Sequence, residues 1–169
     1  NLVDIILSNN GYKVINLGIK VQPQELIEAY REHKPDIIGL SGLLVKSARM
    51  MVETVTDFRQ AGVSAPIMVG GAALSNRFTR LRISPNYDNL VVYAQDAMTG
   101  LALANNIQDA DERQKLTASV NAEMEEFLNN DAAQQAQAEG QVVAPVAPAQ
   151  IRHDFDIPHP PDLRLHVLK

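Results

Sequence analysis

Three short segments hold residue types suited to receiving a ligand. The first, Gly39-Leu40-Ser41-Gly42-Leu43-Leu44-Val45-Lys46-Ser47, sets the hydroxyl of Ser41 in an apolar stretch whose glycines let a large flat ligand come close to the backbone. A loop serine is as readily satisfied by its own backbone beside a helix cap, so position alone leaves both readings open. In the second, Gly70-Gly71-Ala72-Ala73, side chains are missing where a ligand arm could run along a sheet; the same glycines could simply turn the chain. The third, Tyr93-Ala94-Gln95-Asp96-Ala97, is again small and polar, with plain turn chemistry as its alternative.

The chemistry these segments imply is binding, not proton or group transfer by side chains. Neither G-x-G-x-x-G nor G-x-x-x-x-G-K-[ST] occurs, so the dinucleotide and P-loop fingerprints are not met. No nucleophile, base and orienting group can be assembled, and no catalytic residue is assigned. His33 falls near the end of a helical stretch, where an imidazolium favours the helix dipole. His153, His159 and His166 lie in the tail, and although Asp154, Asp156 and His159 imitate metal ligands, a proline-rich segment holds no rigid geometry, so no metal site is expected there.

The elements that must position these segments alternate short β-branched runs with amphipathic stretches, which predicts a doubly wound, flavodoxin-like α/β fold with a parallel sheet. Strands are expected at Tyr12–Leu17, Asp36–Ser41, Pro66–Val69 and Leu90–Tyr93, nearly continuous apolar runs of the kind buried on both faces. Pro23 suits a first helical turn before Leu26, Ile27 and Tyr30. Ser47 can cap a second helix carrying Met51, Val55 and Phe58, which Gly62 ends. Asp96–Ile107 reads as a third, and Leu2–Leu7 as a helix apolar almost all round. A doubly wound sheet would have a strand before that first helix. Its absence leaves backbone groups without partners, each costing about 1–3 kcal/mol when buried, so an upstream central strand is expected. All three ligand-suited segments then fall at the carboxyl ends of strands, where open α/β sheets bind ligands.

Beyond Asp109, Leu116, Val120, Met124 and Phe127 or Leu128 are spaced as the stripe of a terminal helix, giving a domain over residues 1–133. Gln134–Gln150 reads as an Ala/Gln/Pro linker, and Ile151–Lys169 as the lead into a following domain. A net charge of −5 and the absence of Trp argue against nucleic acid, which needs a basic face and stacking platforms. There is no Cys, hence no disulfide or thiolate metal site, and no apolar run approaches the roughly 20 residues of a membrane span. No signal segment opens the chain, and a cytoplasmic protein is expected.

Taken in order, Asn1–Gly18 (NLVDIILSNNGYKVINLG), Gly39–Ser47, Val69-Gly70-Gly71-Ala72 and Tyr93–Ala97 resemble the cobalamin-binding domain of methionine synthase, over roughly Asn1–Ile107. The resemblance implies cobalamin (methylcobalamin) as cofactor and a methyl relay from methyltetrahydrofolate through cob(I)alamin to homocysteine. The partners implied are the homocysteine, folate and reactivation domains of the same polypeptide, and Asp162–Lys169 (DLRLHVLK) looks like the connection to the last of these. Ser41 and Leu43 match the family's S-x-L motif, whose serine bonds the buried nucleotide tail. Gly70, Gly71 and Ala72 match the glycine-rich segment beside that tail, Tyr93 belongs to the last matching segment, and Ala97 matches the residue lining its loop. Val45 stands where a hydroxyl-bearing residue is often found, so that family hydrogen bond is not expected here. The D-x-H-x-x-G motif, whose His ligates cobalt from below, is absent, and Asn1 corresponds to a position just past it; the metal ligand is therefore expected upstream. The corrinoid carriers of methanol and methylamine methyltransfer share this pattern. A signalling receiver domain or other interaction module would share the fold alone, and a receiver needs an Asp at a strand end, where this chain offers Leu17, Ser41, Val69 and Tyr93.

Overall fold

A computed structural model describes residues 2–140, with side chains described as far as Asp131. In chain order the elements are α1 (Leu2–Asn9), α2 (Pro23–His33), β1 (Ile38–Ser41), α3 (Val45–Gln60), β2 (Ile67–Gly70), α4 (Asn76–Phe78), β3 (Val91–Ala94), α5 (Ala97–Gln108) and α6 (Ala110–Gly140). Between α4 and β3 the chain makes a π-turn over Thr79–Ile83 and a 3₁₀ turn over Ser84–Asn86. The strands form one parallel sheet in the order β1-β2-β3.

Strand alternation sorts the core into two layers. On one face Ile67, Val69 and Val91 pack with Ala48, Met51, Val55 and Phe58 of α3 and with Ile83 and Tyr87, with Ile38, Leu40 and Tyr93 at the margin. On the other, Met68 and Val92 pack with Ala104 and Ile107 of α5 and Val120 of α6, joined by Leu7, Tyr12 and Ala94. Helices on both faces of a parallel sheet are the expected doubly wound arrangement.

Local signals behave as their chemistry dictates. Pro23 opens α2, and Gly62, at φ +73°, follows the end of α3 as the Val63 amide donates back to the Phe58 carbonyl. The Asp96 carboxylate accepts from the Thr99 amide at 2.7 Å and caps α5. Asp109 does the same for α6, accepting from the amides of Asp111 and Glu112.

Several expectations are corrected. Tyr12–Leu17 is not a strand: it pairs with no described segment, and a strand exists by its ladder, not by its composition. Tyr12 and Val14 are half-buried while Lys13, Ile15, Asn16 and Leu17 are exposed, and the Asn16 amide is tied to Asp4 of α1 at 3.0 Å. Ser47 does not cap α3, which starts two residues earlier with Leu44 at the N-cap and no side-chain cap. Helical backbone continues past Gln134 to Gly140, through a stretch rich in the strong helix formers Ala, Gln and Glu. Along α6 the apolar stripe fades: Val120 is buried, while Leu128 is exposed. Residues 141–169, including the rest of the expected linker, the lead-in segment and His153, Asp154, Asp156, His159 and His166, lie outside the described residues.

Candidate functional site

Because the strands are parallel, their three following turns emerge along one edge of the sheet. The register places Ser41 beside Gly70 and Gly70 beside Ala94, one row across the sheet at its carboxyl end. In-register residues of adjacent strands share a face, so this row lies on the face of Met68 and Val92, the side covered by α1, α5 and α6.

The first two turns are fastened to each other through backbone. The Gly42 amide donates to the Gly70 carbonyl at 2.8 Å, and the Ala73 amide donates to the Gly42 carbonyl at 3.1 Å. Gly71 sits at φ +110°, and a Cβ there would lie 2.4 Å from the Gly42 carbonyl oxygen; one on Gly70 would lie 2.8 Å from that of Ala94. Here the double glycine is required by the chain's own close approach, with Ala72 exposed on its outer side. Gly100 of α5 is less constrained, since a Cβ there would meet the Met68 sulfur at 3.4 Å, an ordinary contact.

Ser41 differs from these packed neighbours. Its side chain is exposed, and its hydroxyl forms no hydrogen bond among the described residues, so the self-satisfied reading does not hold. Two residues before it, on the same face, Gly39 is exposed, and a Cβ added there meets nothing within 4 Å. A strip without side-chain bulk therefore runs along β1 and ends at an unengaged hydroxyl. Above it lie Leu43 in the loop and Val45 at the start of α3, 75% and 68% exposed, with Leu44 between them also exposed. Met98, in the first turn of α5, is exposed too. Large apolar side chains left in water around a bare strip suit a flat, largely apolar ligand. The first-turn amides of α3, uncapped by any side chain, add donors at the same edge.

The remaining expected site residues divide. Ala97 is half-buried at the first position of α5, on the same edge. Tyr93 is not brought into this group: its ring packs on the opposite face and its hydroxyl donates to the Leu74 carbonyl at 3.2 Å. Gly39 and Gly42 belong to the first ligand-suited segment but were not singled out as site residues, and Gly100 was missed in the sequence. For Gly39 the signal was present, as a glycine two residues before a serine in a strand shares its face.

Titratable chemistry is nearly absent from this edge. The Asp96 carboxyl is held below the usual carboxylate range by the Thr99 amide it accepts from, which commits it to capping. Among the described residues no group of His, Asp or Glu could hold a metal ion. His33, the one histidine among them, ends α2 and so lies toward the amino end of β1, away from Ser41. No helix among them is long and apolar enough to cross a membrane.

Comparison with known proteins identifies the family. Residues 1–102, which take in all three turns, match the family model of the B12 binding domain. A methionine synthase of Mycobacterium leprae (strain TN) is 44% identical over 112 residues, which is 65% of this chain and 9% of that protein. One from Mycobacterium tuberculosis (strain ATCC 25618 / H37Rv) is 43% identical over 112 residues, with the same coverage. The chain thus matches only a small part of the length of these relatives. Its matched length and its strand-edge turns together place it: the chain belongs to the B12-binding domain family, whose cofactor is cobalamin.

Proposed function

We propose that this chain is the cobalamin-holding module of a methionine synthase, serving methyl transfer from methyltetrahydrofolate to homocysteine together with other domains of the same polypeptide. The identity to two mycobacterial methionine synthases favours this enzyme over other corrinoid carriers. The observation that carries the site is the bare strip of Gly39 leading to the unengaged hydroxyl of Ser41.

The residues present fit the cofactor. Its nucleotide arm would lie on the Met68 face of the sheet, along Gly39, with Ser41 as a hydrogen-bond partner and the locked Gly70-Gly71-Ala72 turn as its wall. Leu43 and Val45 would meet the apolar underside of the macrocycle, and Ala97 would keep the start of α5 clear of the arm. Cobalamin, when bound, supplies a cobalt centre able to carry a methyl group. The chain's share is to bind, orient and exclude water, since the Asp96 carboxylate at its strand edge is committed to capping α5.

The test is an absorbance titration of the full-length protein with cobalamin, beside its Ser41→Ala variant. A lost hydrogen bond of about 0.5–1.5 kcal/mol weakens binding roughly three- to tenfold. Because the Ser41 hydroxyl has no hydrogen-bond partner among the described residues, the variant is expected to keep its thermal stability. Unchanged affinity removes Ser41 from the site, and no spectral change with the unaltered protein rejects the proposal.

A further inference from the structure

One polar cluster lies outside the strand-edge site and joins it to the last helix. Arg80, in the π-turn, is almost fully buried; its Nη1 donates to the Val91 carbonyl of β3 at 2.8 Å and its Nε to a carboxylate oxygen of Glu123 on α6 at 3.0 Å. The same Glu123 oxygen accepts from the Asn76 side-chain amide at 3.1 Å. Further along α6, Asp131 pairs with Arg77. Asn76, Arg77 and Arg80 all belong to the segment that follows the glycine turn.

That segment is held at both ends. At its start Gly70 and Ala73 are hydrogen-bonded to Gly42, and the Leu74 carbonyl accepts from Tyr93. At its far end Arg80 and Asn76 converge on Glu123. A π-turn is uncommon in helices and is kept where surrounding contacts favour it; this one carries Arg80 to a position that spans β3 and α6. The contacts thus run without a break from α6 through Arg80 and Asn76 to α4 and back to the glycine turn.

We propose that Glu123 is a positioning residue for the Gly70–Ala72 turn, acting through Arg80 and Asn76, so that the seating of α6 sets how tightly the turn holds a corrinoid's nucleotide arm. This rests on the cofactor placement given under Proposed function. It makes α6, which leads out of the matched region, a mechanical input to the cofactor site.

The experiment compares cobalamin with cobinamide, which has the same macrocycle but no nucleotide arm. In the full-length protein Glu123→Gln keeps the side chain's shape and removes the charge that holds Arg80. It weakens cobalamin binding by about five- to tenfold and leaves cobinamide binding within about twofold, a size typical of coupled but non-contacting residues. Arg77→Gln, which loosens an exposed contact of the same helix and so spares the fold, gives a smaller loss with the same selectivity. Equal losses for both corrinoids, or no loss in either variant, would overturn the proposal. An unaltered protein that binds no cobalamin sinks the underlying cofactor placement, and this inference with it.

Discussion

Gly42 and Gly71 meet backbone to backbone, with the place for a Gly71 Cβ only 2.4 Å from the Gly42 carbonyl oxygen. The contact fastens the turn after β1 to the turn after β2, and the hydrogen bonds from Gly42 to Gly70 and from Ala73 to Gly42 close it from both sides. The obstruction is backbone, so no side-chain rotation relieves it. Gly71 also sits at φ +110°, where a side chain is strained whatever space it has. Gly71→Ala is expected to destabilise the protein by at least about 2 kcal/mol, read as a lower urea midpoint, and to weaken cobalamin binding as the turn moves. A variant as stable as the parent would show that the two turns are not locked.

Gly39 gives the opposite expectation from the same residue type. A Cβ there meets nothing and its φ is not positive, so a β-branched residue is compatible with the strand. Gly39→Val should fold with stability equal to or about 0.5–1 kcal/mol above the parent. Its side chain, however, fills the strip beside Ser41, and cobalamin affinity should fall by about tenfold or more, the effect of a few misplaced methyl groups in a packed site. Normal stability with normal affinity would move the nucleotide arm elsewhere.

What the residues alone revealed follows from how local each signal is. β1, β2 and β3 were legible to within two residues because buried parallel strands read as apolar runs, and Gly62 and Asp96 marked helix ends through chemistry confined to a few residues. Tyr12–Leu17 misled because its β-branched content is a local property, whereas strand pairing depends on a neighbour elsewhere. Ser47 misled because three consecutive apolar residues, Leu43 to Val45, hide a helix start that has no capping side chain. At the site, Ser41 and the double glycine were visible by type. The division of labour among glycines was not: Gly39 is bare toward solvent, whereas Gly70 and Gly71 are bare toward their own backbone, a distinction that only the register and the close approaches reveal.

Tyr87 links a buried hydroxyl to alkaline stability. Its O–H donates to the Ala65 carbonyl at 2.6 Å inside the α3 layer of the core. Burial, then the negative potentials of Tyr30 and Asp88, pushes its pKa up from 10.0 to about 12. The folded state therefore keeps the proton more tightly than the unfolded chain, so this contribution to stability is intact below pH 10 and is lost as pH rises from 10 through about 12. Tyr87→Phe removes the ionisable group but leaves the Ala65 carbonyl unpaired, at a cost of about 1 kcal/mol near neutral pH. Denaturant melts from pH 7 to 12 should show the variant less stable at first, with the gap closing as the parent loses stability above pH 10. A gap that stays constant across that range would mean that the Tyr87 hydroxyl is not the group being titrated.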